Sequence, residues 1–187
     1  ILLVFLFILL FSFFITSYLG TILEGPGYLP YYYPLEPKLI KREAKDYFSG
    51  LVTTQEQANY IKANSKNYPK RTHFFRSARR IVMRPDHYCD WVATFVGKKN
   101  YKLFYLFNFY GFFYIGFFLI TTILSIKWNV NNKKIDYTQL IFVIYTLLAS
   151  FFVLFTVMFA IGSSVEISKN ITDWEEISRA EITWDTS

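Results

Sequence analysis

The sequence predicts an all-α integral membrane protein, with three transmembrane helices and a mostly irregular extramembrane module between the first and the second. Three observations predict it. The chain of 187 residues is 53% hydrophobic and 21% aromatic. Its apolar residues gather into blocks at 1–19, 103–126 and 139–162, none carrying an acidic or basic side chain. Its 20 Lys and Arg avoid those blocks, and fifteen of them fall in residues 23–105 against seven acids. About 20 residues of α-helix cross a hydrocarbon core, so each block is long enough to span. Buried helices of a large soluble core would need far more polar covering than this chain supplies.

The first span is assigned to residues 1–22, interrupted only by Ser12, Thr16 and Ser17 over its apolar run. That run is longer than the core of a secretory leader, which follows a basic stretch. The chain starts at Ile1 in the middle of apolar sequence, as a trimmed N-terminus would. Glu24-Gly25-Pro26-Gly27-Tyr28-Leu29-Pro30 then ends the helix and redirects the chain. The module occupies residues 23–102. Pro34 and Pro37 keep its first part extended, and residues 43–66 show no strong apolar stripe. Residues 68–100 are dense in Arg, Lys and aromatics, with Pro69 and Pro85 preventing one long helix. Spans at 103–126 and 139–162 follow, joined by a loop at 127–138 and trailed by a tail at 163–187.

Charge placement orients these pieces. The net charge is +6, with only three lysines between the later spans and an acidic tail. Positive-inside reasoning puts the module and the tail in the cytoplasm and the 127–138 loop in the lumen. A basic surface of this kind attracts anionic lipid headgroups. Tethering at both ends to membrane argues against nucleic acid as a partner. Charge-free spans argue against a channel or transporter.

The chemistry concentrates at Asp86-His87-Tyr88-Cys89. A carboxylate, an imidazole and a thiol within one short turn are the parts of an activated sulfur nucleophile. Cys89 is the only cysteine, so it is neither half of an internal disulfide nor part of a cysteine-rich metal cluster. It either reacts or fills space as a small buried side chain. A reducing cytoplasm suits one unpaired thiol.

Read in order, the motifs resemble those of the DHHC protein S-acyltransferases, membrane enzymes that attach palmitate to cysteines. Arg71-Thr72-His73, Asp86-His87-Tyr88-Cys89-Asp90-Trp91, and Val96-Gly97-Lys98-Lys99-Asn100 with Phe104 follow the family's cysteine-rich domain. Gly25-Pro26-Gly27 resembles its Asp-Pro-Gly motif, and Asn170-Ile171-Thr172-Asp173-Trp174-Glu175 its Asn-x-Thr-Thr-x-Glu motif. The resemblance identifies the three spans with the family's second to fourth helices and puts the first before Ile1. It implies Cys89 as nucleophile, His87 as general base and Asp86 as its orienter, with Asn100, Asn170, Thr172 and Glu175 as supporting motif residues. It implies a fatty acyl-CoA, palmitoyl-CoA above all, as co-substrate, and cysteines of membrane-associated proteins as acceptors. The expected home is an endomembrane, endoplasmic reticulum or Golgi, with the site facing the cytoplasm. The acyl tail would stay in hydrocarbon, since each buried CH₂ is worth about 0.8 kcal/mol. Phe107, Phe112, Phe113 and Tyr114 are candidates to line its cavity or simply to pack. Arg76, Arg79, Arg80, Arg84, Lys98 and Lys99 are candidates for CoA phosphates or for anionic lipid.

The departures from the family pattern carry their own expectations. The family binds two zinc ions, each through three cysteines and a histidine. Its ligand positions project onto Ile61, Asn64, Phe74 and Ile81 for one site, and Phe75, Ala78, Tyr88 and Phe95 for the other. Zinc is therefore expected to be absent, with two hydrophobic clusters in its place. Asp173 stands where the family has a threonine expected to hydrogen-bond the motif aspartate, so a second carboxylate would face Asp86, and either one acid is protonated or local packing separates them. Asp90 in place of a proline loosens the turn after the nucleophile. The competing class is a catalytically inactive membrane adaptor that keeps the fold.

Overall fold

A computed structural model describes residues 1–29, 55, 59, 68–132 and 137–184. The chain forms two units, one of membrane-type helices and one containing the extramembrane module with the tail.

The helical unit contains α1 (Leu2–Glu24), α2 (Tyr101–Asn131) and α3 (Tyr137–Lys169). All three are long and apolar enough to cross a membrane. Hydroxyls within them return to their own backbone, as Ser17 does to the Phe13 carbonyl at 2.8 Å and Thr122 to Phe118 at 2.8 Å. These bonds let polar side chains sit in apolar helices without unmet donors. Close approach comes at small residues. A Cβ on Gly111 would lie 3.3 Å from the Phe14 ring of α1 and 3.4 Å from the Thr156 methyl of α3. Around that point Phe14 packs on Phe107 and Tyr114, and Phe13 on Tyr110. Phe107 and Tyr114 thus serve the α1–α2 packing. The helices outrun the apolar blocks, reaching Asn131 and Lys169. A started helix continues through polar residues as long as each adds a backbone bond.

The other unit is built on two antiparallel hairpins that sequence reading leaves as irregular chain. β1 (Thr72–Phe75) pairs with β2 (Arg80–Met83), and β3 (His87–Cys89) with β4 (Thr94–Val96). Each closes through a four-residue loop whose last residue is left-handed, Arg79 at φ 51° and Ala93 at φ 50°. Neither loop contains the glycine that advertises a tight hairpin, and strands of three or four residues are too short for their alternation to register. Isolated two-stranded hairpins are marginal in water. Here the Gly-Pro-Gly segment ties them to the chain. Leu29 N–H donates to the Ile81 carbonyl at 2.9 Å, Met83 N–H to Gly27 at 3.0 Å and Lys98 N–H to Met83 at 3.0 Å. At Gly97 a Cβ would lie 2.7 Å from the Pro26 carbonyl, so only glycine fits that approach. Buried Asn100 accepts from Gly97 N–H at 2.9 Å and donates to the Phe95 carbonyl at 3.0 Å, fixing the turn into α2. The tail helix α4 (Asp173–Trp184) completes this unit.

Candidate active site

Alternation along β3 assembles the site. His87 and Cys89 are two residues apart and share a strand face, while Tyr88 points the other way and is exposed. Asp86 enters the strand with its N–H on the Val96 carbonyl at 2.9 Å. Asp86 and Cys89 are buried, at 4% and 6% exposure. Asp86 Oδ2 lies 2.8 Å from His87 Nδ1. With Nδ1 engaged, Nε2 is the nitrogen left for a thiol proton, and His87 and Cys89 each shift the other's titration.

The electrostatics follow from those contacts. Burial alone would push the Cys89 thiol up. The hydrogen bond from His87 and the backbone amides of Val92 and Trp91 outweigh it and hold the thiol below its ordinary range. Burial alone would likewise depress His87, but its bonds to Asp86 and Cys89 raise it to about 9. Both shifts favour the charged forms, thiolate and imidazolium.

Two successive helix signals mark the chain from the end of α3 into the tail. Asn170 ends α3 in the left-handed conformation (φ 53°), with Asn170 N–H on Ile167 and Ile171 N–H on Glu166, a Schellman stop. Thr172 then opens α4 with a capping box. Thr172 N–H donates to Glu175 Oε2 at 3.1 Å and Glu175 N–H to Thr172 Oγ1 at 3.4 Å. The capped first turn offers its amides to the motif aspartate. Asp173 N–H donates to Asp86 Oδ1 at 3.0 Å and Trp174 N–H to the Asp86 carbonyl at 3.1 Å. The carboxylate of Asp173 is not what meets Asp86. Its residue is exposed, and its backbone N–H makes the contact expected of a threonine side chain.

Sequence reasoning missed the partner of Glu175. Arg71 grips it with a two-pronged guanidinium, Nε to Oε1 at 2.5 Å and the second nitrogen to Oε2 at 2.6 Å. That bond lowers the Glu175 carboxyl below its ordinary range. The Thr172-x-x-Glu175 spacing is a sequence signal that could have found the capping box. Nothing local announced a pairing across 104 positions.

The six basic candidates have several local roles. Arg80 stacks over the Tyr28 ring at 4.3 Å, Lys99 sits 3.6 Å from Glu24, and Arg84 acts by its charge on Glu175. Arg76 and Lys98 are exposed, and Arg79 closes the first hairpin.

The projected zinc positions do not fit zinc. Ile61 and Asn64 lie outside the described residues. Phe74 and Ile81 face each other across the first hairpin. Phe75 packs on Phe95 at 4.3 Å between ring centres and Tyr88 on Phe95 at 5.1 Å. Trp174 extends this cluster to Phe75 at 4.9 Å and His73 at 4.6 Å. None of these positions offers a thiolate or an imidazole in a ligand's place. Among the described residues no group of three or more His, Cys, Asp or Glu is placed to hold a metal ion.

Comparison with known proteins agrees in kind. The DHHC palmitoyltransferase family model matches residues 54–180, more than half of the chain. Probable protein S-acyltransferase 13 of Arabidopsis thaliana is 29% identical over 115 residues, covering 59% of this chain and 36% of that relative. Palmitoyltransferase pfa5 of Aspergillus fumigatus is 30% identical over 114 residues, 61% of this chain and 25% of the relative. Palmitoyltransferase ZDHHC9 of Danio rerio is 33% identical over 116 residues, 54% and 30% respectively. The chain thus spans about a third or less of the length of these relatives.

Proposed function

This chain belongs to the DHHC palmitoyltransferase family, and from that premise we propose that it is a protein S-acyltransferase working through a Cys89 thioester. The observation that carries the reading is the Asp86–His87–Cys89 set, with its aspartate held by the tail and its thiol lowered by its neighbours. His87 takes the thiol proton. The thiolate attacks the carbonyl carbon of a fatty acyl-CoA, the carbon–sulfur bond to CoA breaks, and His87 returns the proton to the departing CoA thiolate. In the second half His87 takes a proton from a substrate cysteine, whose sulfur attacks the acyl-enzyme and releases Cys89. Asp86 fixes the imidazole tautomer and steadies its charge.

Labelling with an alkyne fatty acid tests this. The protein should acquire hydroxylamine-sensitive label that Cys89→Ser abolishes. An unlabelled wild type would favour the adaptor, which keeps the fold and transfers nothing.

The remaining roles follow from the same premise. Arg76 and Lys98, both exposed, are the basic residues best suited to CoA phosphates or anionic headgroups, since Arg80, Arg84 and Lys99 already answer neighbours. Acceptors are cysteines of membrane-associated proteins, and nucleic acid is not a partner. The excess of Lys and Arg in residues 23–105 supports a cytoplasmic site on an endomembrane, endoplasmic reticulum or Golgi. A glycan on Asn170 would reverse that orientation. We further infer that the fold holds without the family's zinc, with the Phe75–Phe95–Tyr88–Trp174 cluster joining the hairpins and α4 instead.

A further inference from the structure

We infer that Arg71 is a positioning residue of the Cys89 site, holding His87 in place through the first turn of α4. The inference rests on the acyl-transfer reading for its consequence in activity, but its geometry stands apart from it. Arg71 is anchored on the first hairpin. Its backbone is left-handed, at φ 63°, and its carbonyl accepts from Arg84 N–H at 2.6 Å. From there its fork takes both oxygens of Glu175, at 2.5 and 2.6 Å. Glu175 Oε2 also accepts from Thr172 N–H, so one carboxylate is shared between the guanidinium and the helix cap.

The next two amides along the chain are the ones that hold the motif aspartate. Asp173 N–H takes Asp86 Oδ1 and Trp174 N–H takes the Asp86 carbonyl, while Asp86 Oδ2 holds His87 Nδ1. Arg71 therefore reaches the imidazole through Glu175, the capped turn and Asp86, each step a hydrogen bond rather than a flexible stem. Arg71 itself touches neither the imidazole nor the thiol in any of these contacts.

The planar fork matters more than the charge. Arg84 also acts on Glu175 by its charge, so a positive field persists when Arg71 is replaced. What a lysine at 71 cannot supply is two parallel bonds to one carboxylate. Losing one leaves Glu175 free to rotate, and the cap then rests on Thr172 Oγ1 alone.

The test uses Arg71→Lys, Arg71→Ala and Glu175→Gln in the full chain, read by the pH profile of iodoacetamide alkylation and by acyl labelling. Cys89 is the sole cysteine, so all alkylation reports on it. Arg71→Lys and Glu175→Gln should each move the alkylation midpoint upward, toward the ordinary thiol range. Each should also slow acyl-enzyme formation on the order of a hundredfold, the effect of a small misplacement of a catalytic group. The melting temperature of Arg71→Lys should stay near that of wild type. Arg71→Ala combined with Glu175→Gln should be no worse than either alone, because both break one link. A wild-type alkylation profile in Arg71→Lys and Glu175→Gln overturns the inference, as does a shift matched only by loss of folded protein. If wild type never takes the acyl label, the acyl-transfer reading fails, and the alkylation profile still decides the role of Arg71.

Discussion

Cys89 is acidified against its own burial. Desolvation raises a thiol and lowers an imidazole, yet here the thiol is lowered and the imidazole raised to about 9. The two titrate as a coupled pair, and the sign of each contribution is separate. Folding favours protonated His87, so that stabilisation is complete below the ordinary value of 6.5 and is lost as the pH climbs through about 9. Folding favours ionised Cys89, so its stabilisation is lost as the pH falls through the lowered thiol value. Alkylation of Cys89 should accordingly proceed at neutral pH with an acid limb below the range of a free thiol. His87→Ala should carry that limb upward to the ordinary thiol range or beyond, since only burial and the two amides remain. An unmoved limb would mean that His87 does not activate the sulfur. The three residues are legible in sequence because they are nearly contiguous. The amides of Asp173 and Trp174 are not, since a backbone donor has no side-chain signature.

The two hairpins show what a short element hides. Helices of 23 to 33 residues announce themselves by their apolar length, whereas three- and four-residue strands closed by non-glycine loops do not. Their positions matter more than their size, because β3 sets His87 and Cys89 on one face. The aromatic cluster joins both hairpins, with Phe95 of β4 touching Phe75 of β1 and Tyr88 of β3. Phe95 is 5% exposed, so Phe95→Ala should cost about 3–5 kcal/mol of stability in this unit. Limited proteolysis between β1 and β4 measures it, as a loss of protection absent from the conservative Phe95→Leu. Equal protection in Phe95→Ala would show that the cluster is not a joint. Sequence predicted apolar replacements at these positions, but not that Trp174 of the tail would enter the cluster.

For the molecule as a whole, the inferred independence from zinc has a direct consequence. Prolonged exposure to a strong chelator should leave both the melting temperature and the neutral-pH alkylation rate of Cys89 unchanged, and the purified protein should carry far less than one zinc per chain. Stoichiometric zinc, or unfolding on chelation, would contradict it. The broad architecture was legible from three uncharged blocks, and the family from the order of motifs between and after them. The link between the module and the tail was not, because Arg71 and Glu175 meet across 104 positions.

That link also sets a clock. Cys89 is made before residues 90–173, and until the last of these exist Asp86 has no tail amides to accept from. At roughly 5–20 residues per second, that interval is on the order of 4–17 s of synthesis. During it the nascent chain carries Cys89 without the tail's contacts to Asp86. On the inference that the tail positions His87, the site is complete only once residues through Glu175 have been translated.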